Sequence, residues 1–279
     1  MKISIRSFAF FLCLLTLALV QVSGVAISQT AESEINAAPV PFGPGEKMVF
    51  SIGYGVIDAG ESIVEIIGLT EYQGKTCYQI QSKANSNRFF SSIYKVRDKI
   101  ISYMDVETLY SRYFYKRLRE GDYKKSVEIS FDHENEIARY ANGNNYPTTF
   151  GVQDVLSAGY FVRTLDLEKE TVFDVPAHSS RKTYDLKVFF RGKEEVTVPA
   201  GTFDCFIVEP VMQGEGLFKH EGKLTIYLSD DKYRIPVLIK TKVPVGSITV
   251  ELKEFHPGRP LIFNQKAATG SDESLNENQ

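Results

Sequence analysis

The sequence predicts an all-β protein: a strongly curved antiparallel sheet, or barrel-like meander, of about a dozen strands with one buried apolar helix near residues 154–165. Three observations predict it. Apolar and polar residues alternate with period two along most of the chain. Gly, Asn, Asp and Pro punctuate nearly every gap between the alternating runs. One stretch alone, GVQDVLSAGYFVRTLDL from Gly151 to Leu167, reads as a helix that is apolar almost all the way round. About a dozen strands exceed what a flat twisted sheet holds without curling or splitting, so curvature follows, with a two-sheet sandwich as the alternative.

The elements follow in order. Lys47 to Tyr54 and Glu61 to Leu69 read as a hairpin around GVIDAG, and TCYQIQSKA continues the series. An aromatic break, NSNRFFSS, precedes a strand from Ile93 to Tyr103. Leu109 to Leu118 and Lys124 to Phe131 flank the turn REGD, and DHENE turns the chain into Ile137 to Ala141. Asp154 suits the N-cap of the helix, where a carboxylate meets unpaired amides and the positive end of the dipole. The helix is expected on the concave side of the sheet as a plug, or across an open barrel end. After it come Thr171 to Val175, Thr183 to Arg191, Glu195 to Val198, Phe203 to Val211, Lys219 to Leu228, Pro236 to Thr241 and Ser247 to Phe255.

Residues 1–26 have the order of a secretory leader: Lys2 and Arg6, then the apolar run Phe8 to Val20, then small residues. That run is shorter than the roughly 20 residues that span a bilayer. The chain is therefore expected to be exported, most simply to a periplasm, without a retained transmembrane segment. Residues 27–41 read as a disordered lead-in, 42–264 as a single β-rich domain and 265–279 as a disordered polar tail. Loss of Lys2 and Arg6 leaves 30 basic against 35 acidic residues, a charge of −5. Nucleic-acid binding needs a dominant basic surface and is excluded. Cys77 and Cys205 remain, both in strand patterns, and sequence leaves their pairing open.

Several stretches resemble one known family. PFGPGEKMVFSIGYGVIDAGES, IYKVRDKIISYMD, REGDYKKSVEISFDHE, QDVLSAGYFVRTLDL, VPAGTFDCFIVEP and YLSDDKYRIPVLIKTKVPVGSITVEL occur in that order. They are similar to the bacterial exported family known as domain of unknown function 3108, over about residues 42–255. Tyr227 stands where that family is expected to carry Trp. The resemblance implies an exported, barrel-like β domain and brings no catalytic residue or cofactor with it. A looser architectural likeness is to envelope lipoprotein carriers of the LolA/LolB type.

No G-x-S-x-G elbow, H-E-x-x-H helix or P-loop is present, and His133, His178, His220 and His256 are scattered. FDHENE and SDDK read as charged turns rather than as a calcium loop or a catalytic carboxylate pair. No catalytic, metal or cofactor-binding residue is assigned. Two segments are candidate contact sites. YSRYFYKRLREGDYKK interleaves rings with cations, and Arg112, Tyr113, Tyr115 and Arg117 could meet lipid headgroups or an acidic polymer, export of the chain arguing against single-stranded nucleic acid. Phe89 and Phe90 could form an aromatic lip at the barrel mouth, and Phe161 of the helix could face an apolar ligand inside it. The leading expectation is a non-catalytic envelope protein with a lipid or other amphiphile in its curved interior. A protein-binding scaffold with a filled core, and a hydrolase or lyase of an envelope polymer, are the alternatives.

Overall fold

The computed structural model describes residues 40–213, 224–242 and 246–261. The expected leader, most of the lead-in, the polar tail and the start of the strand expected from Lys219 lie outside the described residues. Fourteen strands form one all-antiparallel sheet. Its centre is β1 (Lys47–Tyr54), paired with β2 (Ile57–Tyr72) on one side and β14 (Ser247–His256) on the other. From β2 the meander continues through β3 (Lys75–Ser86), β4 (Arg97–Asp105), β5 (Ser111–Glu120), β6 (Tyr123–Asp132) and β7 (Ile137–Tyr140) to an edge at β8 (Asn145–Pro147). In the other direction lie β13 (Pro236–Lys242), β12 (Leu224–Ser229), β11 (Gly201–Gln213) and β10 (Lys182–Val198), ending at the edge strand β9 (Val172–Ser179).

The expected all-β, curved class is what the structure has, with local differences. Thr183–Arg191 and Glu195–Val198 are one strand, β10, because the register slips between Phe190 and Lys193 rather than breaking. Gly192 takes φ +116° there, a conformation closed to other residues. Strand β4 begins at Arg97 rather than Ile93, since Phe90–Ser92 form a turn of 3-10 helix first.

Among the described residues no ladder closes the sheet. Its two edges are tied instead by the segment before the helix and by side chains. The Gln153 amide donates to Pro176 O at 2.8 Å, and the His178 amide donates to Gln153 O at 2.8 Å. Tyr140 Oη meets His178 Nε2 at 2.9 Å, and Thr183 Oγ1 donates to Pro147 O at 3.2 Å. These contacts occupy one amide and two carbonyls of the edge strands β8 and β9, groups that would otherwise invite another strand.

The helix α1 (Val155–Val162) lies across one end of the barrel, so the closing role is the one it takes. Asp154 is its N-cap and accepts from the Leu156 and Ser157 amides, at 2.7 and 3.2 Å. Its other oxygen accepts from Ser102 of β4 and Ser111 of β5, each at 2.5 Å. One buried carboxylate thereby caps the helix and nails it to two strands. Burial raises its pKa, and the four hydrogen bonds oppose that rise. Asp154→Ala is expected to lower the unfolding free energy by about 2–3 kcal/mol in urea titrations, since it removes a cap and orphans two buried hydroxyls. Asp154→Asn should cost less than half of that, and equal losses would discard the capping account.

The helix stops at Val162, short of the expected Leu165. There the Arg163, Thr164 and Leu165 amides donate back three residues, and Thr164 Oγ1 donates to Phe161 O at 2.7 Å. At the same end the segment entering β1 meets the segment leaving β14. A Cβ on Gly43 would stand 2.2 Å from Arg259 O, so only glycine permits this approach. Cys77 and Cys205 are free and buried, and burial pushes both thiols up to about 12.

The core is filled. Phe42 packs edge-on against Tyr78 and Tyr160, at 5.6 and 4.9 Å between ring centres. Met48, Phe50, Ile80, Ile100, Met104, Phe114 and Leu156 complete that cluster from both sides of the barrel. A second, smaller cluster joins Val162 and Leu167 to Val175, Val188 and Phe206.

Candidate functional site

The meander sorts its turns between two ends. The β2–β3, β4–β5 and β6–β7 turns share the end closed by α1, and the β1–β2, β3–β4 and β5–β6 turns share the opposite end, which is open among the described residues. Three hairpins at the open end carry exposed apolar residues at or beside their tips: Val56 and Ile57, Phe89 and Ile93, and Tyr123. Phe89 is 65% exposed and Ile93 is 70% exposed. Turns are ordinarily polar, which makes this rim unusual.

The rim is one built surface. Asn87 of the middle loop donates its backbone amide to Ala59 O at 3.0 Å and its side-chain amide to Asp58 O at 2.7 Å. On the other side Gly121 N donates to Lys95 O at 2.7 Å, and Val96 bridges to Glu120. The middle loop is therefore stitched to both neighbours. Phe89 and Phe90 part company within it. Asn87 Oδ1 accepts from the Phe90 amide at 2.7 Å, turning that ring inward over Ile52, Ala59, Ala84 and Val96, while Phe89 points to solvent. The space beneath Phe90 is about 10 Å³, at most room for one water.

Below the rim, inward positions of β4 and β5 carry Asp98 and Glu120, both buried. Burial first, and then the adjacent Asp98 carboxyl, push the Glu120 pKa up to about 9. Asp98 Oδ1 also accepts from the Arg119 amide.

The remaining sequence candidates do not converge. Arg112 lies near the closed end, held by Asp105 through Nε at 2.9 Å and Nη2 at 2.7 Å. Alternation along β5 sends Tyr113, Tyr115 and Arg117 to the outer face, opposite to Phe114 and Leu118. Tyr113 stacks on Tyr103 at 4.8 Å and leans on Tyr72 at 5.3 Å. Phe161 packs between the two core clusters at the far end from the rim. A polar cleft of about 270 Å³ beside Arg112 is lined also by Gln73, Lys75, His133 and Arg139. Its cations already have partners: Arg112 holds Asp105, Arg139 holds Asp132 at 2.6 Å and Lys75 meets Glu107 at 3.8 Å.

The turns expected to be structural are tied internally. Asp231 Oδ1 accepts from Ser229 Oγ and from the Tyr233 and Arg234 amides. His133 and His178 are buried in separate hydrogen bonds, with Ser111 O and Tyr140 Oη, and His256 is exposed. Among the described residues no His, Cys, Asp and Glu group is arranged to hold a metal ion. No helix among them is long and apolar enough to cross a membrane.

Sequence reasoning missed the rim residues Val56 and Ile93 and the inward pair Asp98 and Glu120. Val56 carried a usable signal, since a valine at a tight turn has no turn chemistry to offer. The carboxyl pair carried none, because its members stand on different strands.

The family model described as "Protein of unknown function (DUF3108)" matches residues 49–253. Among solved structures, a β-barrel-like protein of domain of unknown function DUF1849 from Brucella abortus aligns at 8% identity with a TM-score of 0.55, covering 77% of this chain and 98% of that one. A hypothetical protein from Chlamydia trachomatis aligns at 8% identity and a TM-score of 0.37, over 79% and 90% of the two chains. A DUF1089 family protein from Pseudomonas aeruginosa aligns at 9% identity and 0.34, over 80% and 97%. No curated protein matches the sequence. With the family match spanning most of the barrel, from β1 to β14, the chain belongs to the DUF3108 family of proteins of unknown function.

Proposed function

We propose that this protein is a non-catalytic, exported module of the cell envelope that works from the apolar rim of its open end rather than from a ligand held inside. The observation that carries the proposal is the contrast between the two places where binding could occur. The interior is occupied by the protein's own rings and by α1, and the slot at its mouth measures about 10 Å³. Pockets that enclose a small ligand run to about 300–1,000 Å³. The rim, in contrast, holds large apolar side chains in water on hairpins laced together by hydrogen bonds. Such exposure is the mark of a contact surface. The leader-like residues 1–26 support export, and residues 42–264 serve as the single working domain.

Native mass spectrometry of the protein purified from its own compartment, followed by organic extraction, tests this reading. The expected result is the bare mass of the mature chain. A stoichiometric acyl lipid carried through purification, and lost in Phe161→Asp protein that still folds by circular dichroism, would return the interior-ligand reading.

A further inference from the structure

We infer that the open end docks onto an anionic phospholipid surface, with Val56, Phe89, Ile93 and Tyr123 entering the headgroup boundary and a collar of cations meeting the phosphates. The inference rests on the reading of the rim as the working surface and names what that surface meets.

The charge pattern carries it. Several cations of the walls and the closed end have acidic partners, Lys83 with Glu65, Arg112 with Asp105, Arg139 with Asp132 and Lys187 with Asp174, while others such as Lys47, Lys116 and Lys182 stand singly and apart among the described residues. On the β3–β4 and β5–β6 hairpins that carry the rim, Arg88, Lys95, Arg119, Lys124 and Lys125 are exposed, and none joins an ion pair among the described residues. Two of them oppose each other directly: Arg119 and Lys124 are cross-strand partners on β5 and β6. Like charges directly opposite destabilise a strand pair. An anion from outside the chain would relieve that arrangement. Among the described residues two exposed acids, Asp58 and Asp122, share this end and leave the balance of these residues positive.

The apolar and basic residues alternate along the same short segments. Arg88 precedes Phe89, Ile93 lies two residues before Lys95, and Tyr123 precedes Lys124 and Lys125. Apolar tips among unpaired cations are the pattern of a surface that lies in a membrane interface, where rings and aliphatic groups enter the acyl boundary and cations stay at headgroup level. A protein partner with an acidic face would also meet these tips and cations, and vesicle binding separates it from a membrane. The hydrogen bonds from Asn87 to the β1–β2 hairpin and from Gly121 to Lys95 hold the three tips in register before contact. Little ordering remains to be done on binding.

Co-sedimentation of the full mature chain with phosphatidylcholine vesicles, with and without phosphatidylglycerol, tests the inference. Binding is expected with phosphatidylglycerol, at least tenfold weaker without it, and falling as salt rises. Phe89→Ser/Ile93→Ser and Lys124→Glu/Lys125→Glu should each weaken it at least tenfold. These side chains are exposed, so unchanged circular dichroism and thermal melting are expected in both variants. No binding to phosphatidylglycerol vesicles at low salt, or binding that both variants retain, would overturn the membrane inference. A photo-crosslinker at position 89 separates the two failures in cells: crosslinks to a protein with no vesicle binding would overturn membrane docking yet keep the rim, and no crosslinks to anything would remove the rim reading itself.

Discussion

Arg163→Met is expected to lower the free energy of unfolding by about 3–5 kcal/mol, the largest loss any single side chain of the closed end should produce. Arg163 and Glu46 are 1% and 0% exposed in their side chains. They form a two-pronged pair, Nη1 to Oε1 and Nη2 to Oε2, each at 2.7 Å, and Nη2 also donates to Tyr233 O at 3.0 Å. The guanidinium lies 5.1 Å from the Phe42 ring centre and 4.9 Å from that of Tyr160. Removing it strands a carboxylate among aromatic rings, where an unpaired charge is far costlier than the pair's own net contribution. The corollary discriminates. Glu46→Leu/Arg163→Met removes both charges and should recover most of the loss, because buried ion pairs contribute little over well-packed apolar residues. Urea titrations of the two single variants and the double variant measure this directly. A double variant as unstable as the sum of the singles would mean that the rings and the Tyr233 carbonyl, not the charge pair, hold the helix end.

The same pair marks where sequence legibility ends. Strand alternation is a local property, so β1 is read at its own bounds and most other strands to within a few residues. Asp154 was legible as an N-cap because capping acts within three residues, and its neighbours Leu156 and Ser157 supply the amides. Glu46 and Arg163 stand 117 positions apart, and nothing local to either announces the other. A glutamate after Gly45 reads as turn polarity, and an arginine ending an apolar helix reads as favourable dipole chemistry. Similarly, Arg112 reads as a free cation until the chain brings it back to Asp105.

The candidate site divides along the same line. Phe89 and Phe90 were legible as a break between strands with both rings near a mouth. Which ring faces outward depends on Asn87 Oδ1 taking the Phe90 amide, a choice between two adjacent identical residues that alternation cannot make. Val56 and Ile93 read as a hairpin residue and a strand start. They join Phe89 and Tyr123 only when the sheet curls and gathers alternate turns at one end. The unpaired state of the rim cations was out of reach, since pairing on the walls is set by cross-strand register.

A second large effect should come from Glu120→Gln, as a change in how stability depends on pH. In the folded chain burial and the neighbouring Asp98 raise the Glu120 pKa from 4.5 to about 9. A raised folded pKa means that the native state holds a proton the unfolded chain releases. Stability from the protonated group is therefore fully present below pH 4.5 and is lost as pH rises through about 9. One pKa unit corresponds to about 1.4 kcal/mol, so the wild type should lose on the order of 4 kcal/mol across this window, part of the shift relaxing as Asp98 shares the proton. Glutamine has nearly the shape of the protonated acid and cannot ionise. The variant should match wild type near pH 4.5 and exceed it increasingly towards pH 9. Because Asp98 and Glu120 underlie the β5–β6 hairpin, amide exchange at Gly121, whose N–H is held by Lys95 O, should slow in the variant at the alkaline end by more than the chemistry of exchange explains. Parallel pH–stability curves for the two proteins would mean that Glu120 is already ionised in the native state, and that Asp98 does not share its proton.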